Sequence, residues 1–204
     1  MAFQHPFQII GFHSCDREVG LRIINGKDHL RPSNNPWDWL GPGVYFWEDN
    51  PHRALDYSRN CATNKQKFSG RIANPFVIGA IIDLGNCLNL IEHRSLGIVK
   101  RAYDIFKQAT EEAGGKMPTN KGANRALDCA VIKYLHETNI KSDIAPYDTI
   151  RSPFLEGGAI YDQANFTDGL HMEVCVINTR MIKGYFLPQP IAEFNPWLSA
   201  DFVP

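Results

Sequence analysis

Three short stretches carry side chains whose types and spacing could do chemistry. In Gly11-Phe-His13-Ser14-Cys15 a histidine closes an apolar run and is followed by a small residue. Its ring is then free to donate to a ligand hydroxyl, with the next backbone amide close by. Between Trp37 and Trp47 three tryptophans and Tyr45 fall within eleven positions around Gly41-Pro-Gly43. Glycine lets a backbone approach a ligand closely, and aromatic rings supply faces for stacking a flat heterocycle. In His171-Met-Glu173-Val-Cys175-Val-Ile-Asn178, residues 171, 173 and 175 share one face of a strand, and Glu173 is the acid opening an apolar run. Burying a carboxylate there costs free energy unless it has a partner. Taken singly, each stretch has a plainer explanation: a structural histidine, an aromatic core cluster, and a glutamate in solvent.

Competing chemistries lack their signatures. The seven histidines form no HxxxH or HxH pair, and the five cysteines form no CxxC pair, so a metal and a disulfide framework are both unexpected. There is no GxSxG, no GxxxxGK[ST] and no GxGxxG opening a helix. Cys15 is set aside as a thiol nucleophile on the expectation that it faces away from His13.

The elements that must position these residues read as a mixed fold. Strands are expected at Phe7–Phe12, Gly43–Trp47, Phe76–Leu84, Cys87–Ile91, Met172–Asn178 and Met181–Phe186, the third and fourth as a hairpin around Gly85-Asn86 and the last two as a closing pair. Helices are expected at Pro51–Asn60, capped by Asn50, and at Ile98–Ala113 and Ala123–Glu137, which carry apolar stripes at helical spacing. Loops are expected at Gly26–Pro36, Met117–Lys121 and Ser142–Phe166. Strands at both ends with helices between do not alternate as βαβ units do, so an α+β fold with mostly antiparallel sheet is expected.

The 204 residues, 44% hydrophobic and 21% charged, suit a single domain over residues 1–204 with its own core. A net charge of -1 excludes a global field for polyanions, although His52–Pro75 carries five cations against one acid. The longest uninterrupted apolar run, Phe76–Ile82, is too short to span a bilayer, and a cytoplasmic protein with no membrane part is expected.

Taken in order, His13-Ser14, then Gly41-Pro-Gly43-Val-Tyr45-Phe-Trp, then Glu173 resemble the His-Tyr-Glu pattern of ADP-ribosyltransferases of the poly(ADP-ribose) polymerase and diphtheria-toxin class. The stretch Asp38–Pro51, with Arg151, Phe154-Leu-Glu156-Gly157 and Ile182–Phe186, is similar to compact bacterial members, some of which are toxins of toxin–antitoxin or phage-defence systems. The resemblance implies a split β-sandwich of two mostly antiparallel sheets with flanking helices. It implies NAD as a substrate, with no metal, and a mono-ADP-ribosyltransferase releasing nicotinamide. His13 would hold the adenosine ribose, the Ser14 backbone the nicotinamide amide, and Gly43 would lie against the cofactor. Tyr45, with Tyr57, would stack on the nicotinamide, and Glu173 would bond the 2′-hydroxyl of its ribose. Tyr57 stands twelve residues after Tyr45, one more than the family spacing, and Ala54 replaces the usual hydroxyl residue three before it. Arg151, Glu156 and Trp39 would contact the acceptor, RNA, DNA or protein, and Glu156 is the rival catalytic acid. An antitoxin protein is an expected partner. NAD glycohydrolysis and a non-catalytic NAD or nucleic-acid binding module are the alternatives.

Overall fold

The computed structural model describes residues 8–64, 72–122 and 124–198. β1 (Gln8–Asp16) runs into α1 (Arg17–Ile24), where no helix is expected. Asp16 caps it, and the absence of a side chain at Gly20 lets the helix lie against the Phe76 ring. β2 (Val44–Glu48) leads to α2 (Pro51–Thr63), whose Asn50 cap accepts a hydrogen bond from the Arg53 amide at 3.0 Å. Pro51 opens α2 as the sequence predicts. β3 (Pro75–Asp83) and β4 (Cys87–Asn89) precede α3 (His93–Glu112) and α4 (Ala126–Lys141), which begin and end a few residues from their expected bounds. β6 (His171–Val176), β7 (Ile182–Phe186) and the short α5 (Ile191–Phe194) complete the chain.

β5 (Thr149–Phe154) lies within a segment expected to be loop. Pro153 hides it, because proline inside an apolar run argues against a strand. The proline is tolerated because β4 pairs only with Thr149, Ile150 and Arg151, so β5 has no β4 neighbour at Pro153.

The strands form one sheet of seven, in the order β4-β5-β6-β2-β1-β3-β7, antiparallel except between β4 and β5. The two expected hairpins do not form. β3 pairs with β1 and β7, and β4 lies at the far edge beside β5; β6 is flanked by β5 and β2, which leaves β7 to pair with β3. Only Leu84–Asn86 joins β3 to β4, five strand positions away. In a flat sheet those positions lie about 24 Å apart, at about 4.8 Å per strand, whereas three linking residues reach only about 14 Å. The sheet therefore curls enough to bring the end of β3 to the start of β4. Asp148 holds the junction, accepting hydrogen bonds from the Asn86 amide at 2.9 Å and from Asn178 Nδ2 at 2.7 Å.

Side chains alternate across the curled sheet, giving it three cores. Val44, Phe46, Ile78, Ile82, Val174 and Val176 fill the inside of the curl. Leu40, Ile132, Leu135, Ile150 and Cys175 pack one outer face beneath α3 and α4. Phe12, Ala54, Leu55, Val77 and Phe194 pack the other beneath α2 and α5. Ala54, fully buried, belongs to that core rather than to a ligand site.

Candidate active site

β1 and β2 pair through only two positions, Gly11 with Glu48 and Phe12 with Trp47. Continued by two residues, the ladder would place Ser14 opposite Tyr45. Instead the His13 ring takes the Tyr45 carbonyl, with Nδ1 at 2.8 Å, and β1 goes on beside β3 alone. The direction of the Ser14 backbone follows from its partner. Val77, opposite Ser14, turns its N–H and C=O away from β1, to Asn195 Oδ1 at 2.8 Å and Asn195 Nδ2 at 2.9 Å. Opposed residues of an antiparallel pair either exchange both bonds or neither. Ser14 therefore points its N–H and C=O toward the side that β2 has left. Its Oγ is buried and, among the described residues, has no hydrogen-bond partner.

Burial holds the His13 pKa below the usual imidazole value, so the ring is neutral at pH 7. With Nδ1 donating to Tyr45, Nε2 is an acceptor, and the ring takes a bond from a ligand hydroxyl rather than giving one. His13 packs against Phe46, with ring centres 5.8 Å apart, inside the curl, on the face opposite to Tyr45 and Glu173. Cys15 shares the His13 face, contrary to expectation, because residues two apart in a strand point the same way. Burial pushes the Cys15 thiol up to about 12, which suits a packed side chain and not a nucleophile.

Glu173 stands on the outer face of β6, opposite Trp47 of β2 and Ser152 of β5. Its side chain is 14% exposed. Each carboxylate oxygen meets a nitrogen: Trp39 Nε1–H donates to Oε2 at 2.6 Å, and His171 Nε2 lies 3.1 Å from Oε1. A chain of rings surrounds it. Trp39 contacts Phe154 at 4.7 Å, Phe154 contacts His171 at 5.5 Å, His171 approaches Trp47 at 6.5 Å, and Trp47 contacts Tyr57 at 5.2 Å. Trp47 Nε1 is buried with no partner among the described residues, beside the half-exposed Tyr57 ring.

Tyr45 is committed elsewhere. Its hydroxyl donates to the Gly41 carbonyl at 2.7 Å and accepts from the Leu40 amide at 3.0 Å, and its ring packs with the core beneath α3 and α4. The rings around Glu173 are those of Trp39, Phe154, His171 and Trp47, with Tyr57 beyond Trp47. Gly43 has its own structural reason, since a Cβ there would overlap Cys175 Sγ and the Val176 carbonyl of β6.

Arg151 is not beside Glu173. It points to the opposite face of β5, where Nε and Nη2 donate to the Glu48 carboxylate at 2.6 and 3.0 Å. That bond keeps the guanidinium charged and the pair largely out of solvent. Arg151→Met is expected to lower stability by about 1–3 kcal/mol, less than the ~3–5 of a fully buried pair, because it strands the Glu48 charge. Urea unfolding measures this, and the acceptor preference of the protein should not change.

Glu156 lies on the rim, exposed and ion-paired with Arg53 of α2. It also borders a groove of about 840 Å³ between α3, α4 and the end of β5, in whose wall stand Trp39, Tyr103, Arg125 and Phe154. Trp39 thus joins the groove to Glu173. Of the basic stretch, Lys65, Lys67 and Arg71 lie outside the described residues.

One feature of the site has no local signal in the sequence. The Trp39 to Glu173 bond links residues 134 apart. His171, by contrast, is recoverable from the strand period, which puts it on the Glu173 face. Among the described residues no group of three or more His, Cys, Asp or Glu is placed to hold a metal ion, and no helix is long and apolar enough to cross a membrane. Compared with known proteins, the chain matches no family model, and no curated protein or solved structure is significantly similar to it.

Proposed function

We propose that the protein is a mono-ADP-ribosyltransferase that cleaves nicotinamide from NAD⁺ and transfers ADP-ribose to a macromolecular acceptor. The observation that carries this reading is Glu173, a carboxylate largely removed from water, with a nitrogen at hydrogen-bond distance from each oxygen and walled by rings. Each carboxylate oxygen has two lone-pair positions, so one on each is left for a ribose hydroxyl. As the glycosidic bond breaks, positive charge grows on the ribose, and a preorganised carboxylate in a water-poor site stabilises that charge more than it stabilises the ground state.

The remaining roles belong to the same proposal. The Ser14 N–H and C=O, turned to the side β2 has left, form a donor and acceptor pair that complements a carboxamide. The Trp47 indole N–H, unpartnered among the described residues, offers a donor for nicotinamide beside the Tyr57 ring, in place of the committed Tyr45. His13 Nε2 would accept from the adenosine ribose. The curl of the sheet, narrowed to two residue pairs between β1 and β2, supports a split sandwich whose two halves are β1-β3-β7 and β2-β6-β5-β4. The groove beside Trp39 has room for an acceptor group, and its tryptophan would stack a nucleobase, which ranks RNA or single-stranded DNA with protein as acceptor. Action as a toxin, with an antitoxin partner, belongs to the same proposal.

The test incubates the protein with NAD⁺ labelled in its adenylate phosphate, together with RNA, single-stranded DNA or cell-lysate protein. Label fixed to one of these classes supports the transferase. Free ADP-ribose as the sole product identifies a glycohydrolase, and NAD⁺ bound without loss of nicotinamide identifies a binding module.

A further inference from the structure

Glu173 sits on an unusual neighbour. His171, two residues before it on the same strand, has a side chain only 1% exposed. One ring nitrogen faces the Gly169 carbonyl, at 2.6 Å from Nδ1, and the other faces Glu173 Oε1, at 3.1 Å from Nε2. A surface histidine would choose its own rotamer, but this one has Phe154 and Trp47 on its flanks. At the end of the 155–170 loop the Gly169 backbone lies close against that of Glu156, where a Cβ would meet the Glu156 carbonyl.

We infer that His171 is a positioning residue for Glu173, holding Oε1 while Trp39 holds Oε2, so that the carboxylate presents its remaining lone pairs in one direction. This rests on the reading of Glu173 as the catalytic acid. A strand glutamate with three free torsions samples several rotamers, and ordering a side chain of that length costs conformational entropy. Two donors, one for each oxygen, place that cost in folding rather than in the reaction. The Gly169 carbonyl and the Glu173 carboxylate are both acceptors, so both bonds form together only when the His171–Glu173 pair holds one proton beyond the neutral ring. His171 thereby also joins the end of the 155–170 loop to the carboxylate.

Two substitutions separate these bonds. In His171→Gln the amide nitrogen takes the place of Nε2 and still donates to Glu173. In His171→Asn it takes the place of Nδ1 and keeps only the bond to Gly169. Nicotinamide release by His171→Gln is expected to stay within about 5-fold of the wild type. His171→Asn should lose roughly 10- to 100-fold in kcat with little change in KM for NAD⁺, because misdirecting a reacting group by about 1 Å costs on that order. The reverse ranking, or equal losses, would overturn the inference. A second readout needs no turnover: in ¹⁵N spectra of the wild type and Glu173→Gln, the His171 Nε2 resonance should move and Nδ1 should stay. An Nε2 signal indifferent to residue 173 overturns the inference by itself. A wild type that releases no nicotinamide but shows the Nε2 shift would instead overturn the transferase reading and leave the positioning intact.

Discussion

Glu173→Gln is expected to slow nicotinamide release from NAD⁺ by roughly 10²–10³-fold while leaving the fold and NAD⁺ affinity nearly unchanged. The magnitude is that of removing one preorganised electrostatic group from a transition state. Glutamine keeps the shape of the side chain and still offers an oxygen to Trp39 or His171, so the packing among Trp39, Phe154, Trp47 and His171 survives. What it lacks is the negative charge, which matters most as the ribose becomes cationic. The loss should fall on kcat, because the ground-state sugar carries no such charge. Glu156→Gln is the control. Glu156 is exposed and already paired with Arg53, a poor setting for stabilising an adjacent cation. Its replacement should alter acceptor use and spare hydrolysis of NAD⁺ in water. If Glu156→Gln abolishes nicotinamide release and Glu173→Gln does not, the two acids exchange roles.

The second large effect concerns stability. Asn195→Ala is expected to destabilise the protein by about 2–5 kcal/mol. Asn195 is fully buried, and its amide bonds both the N–H and the C=O of Val77 on β3, at 2.8 and 2.9 Å. It acts as the strand partner that β7 does not supply, since β7 reaches only as far as Gly79 on β3. Removing the amide leaves two buried backbone groups unpaired, at about 1–3 kcal/mol each. For a domain of this size that corresponds to a fall in Tm of roughly 5–15 °C. Thermal unfolding followed by circular dichroism measures it. A shift of less than 2 °C would mean that water replaces the amide there, and that Val77 does not depend on Asn195.

Both predictions rest on long-range geometry, and they mark where the sequence is legible. Asn50-Pro51 identifies the start of α2, and the apolar stripes of α3 and α4 are plain, because these signals lie within a few residues of the structure they specify. Strand β5 is masked by Pro153. The pairing of β3 with β7 and of β4 with β5 depends on the curl of the sheet, which no neighbouring residues encode; Gly85-Asn86 does make a turn, but one that sends the chain to the opposite edge. At the site, Glu173 is visible as an acid out of place in an apolar strand, and His171 follows from the period of two. The part played by Trp39 and the turning away of the Tyr45 hydroxyl depend on how the Trp37–Gly43 loop folds over β6. The opening beside Ser14 depends on one histidine ring replacing a ladder bond. None of these is a property of spacing along the chain.

The most direct measurement is nicotinamide release from NAD⁺ by the wild-type protein, followed by chromatography with and without RNA, single-stranded DNA or lysate protein. The account predicts release that accelerates with one acceptor class and is lost with Glu173→Gln. NAD⁺ left intact in every mixture, or consumed equally by wild type and Glu173→Gln, would contradict it.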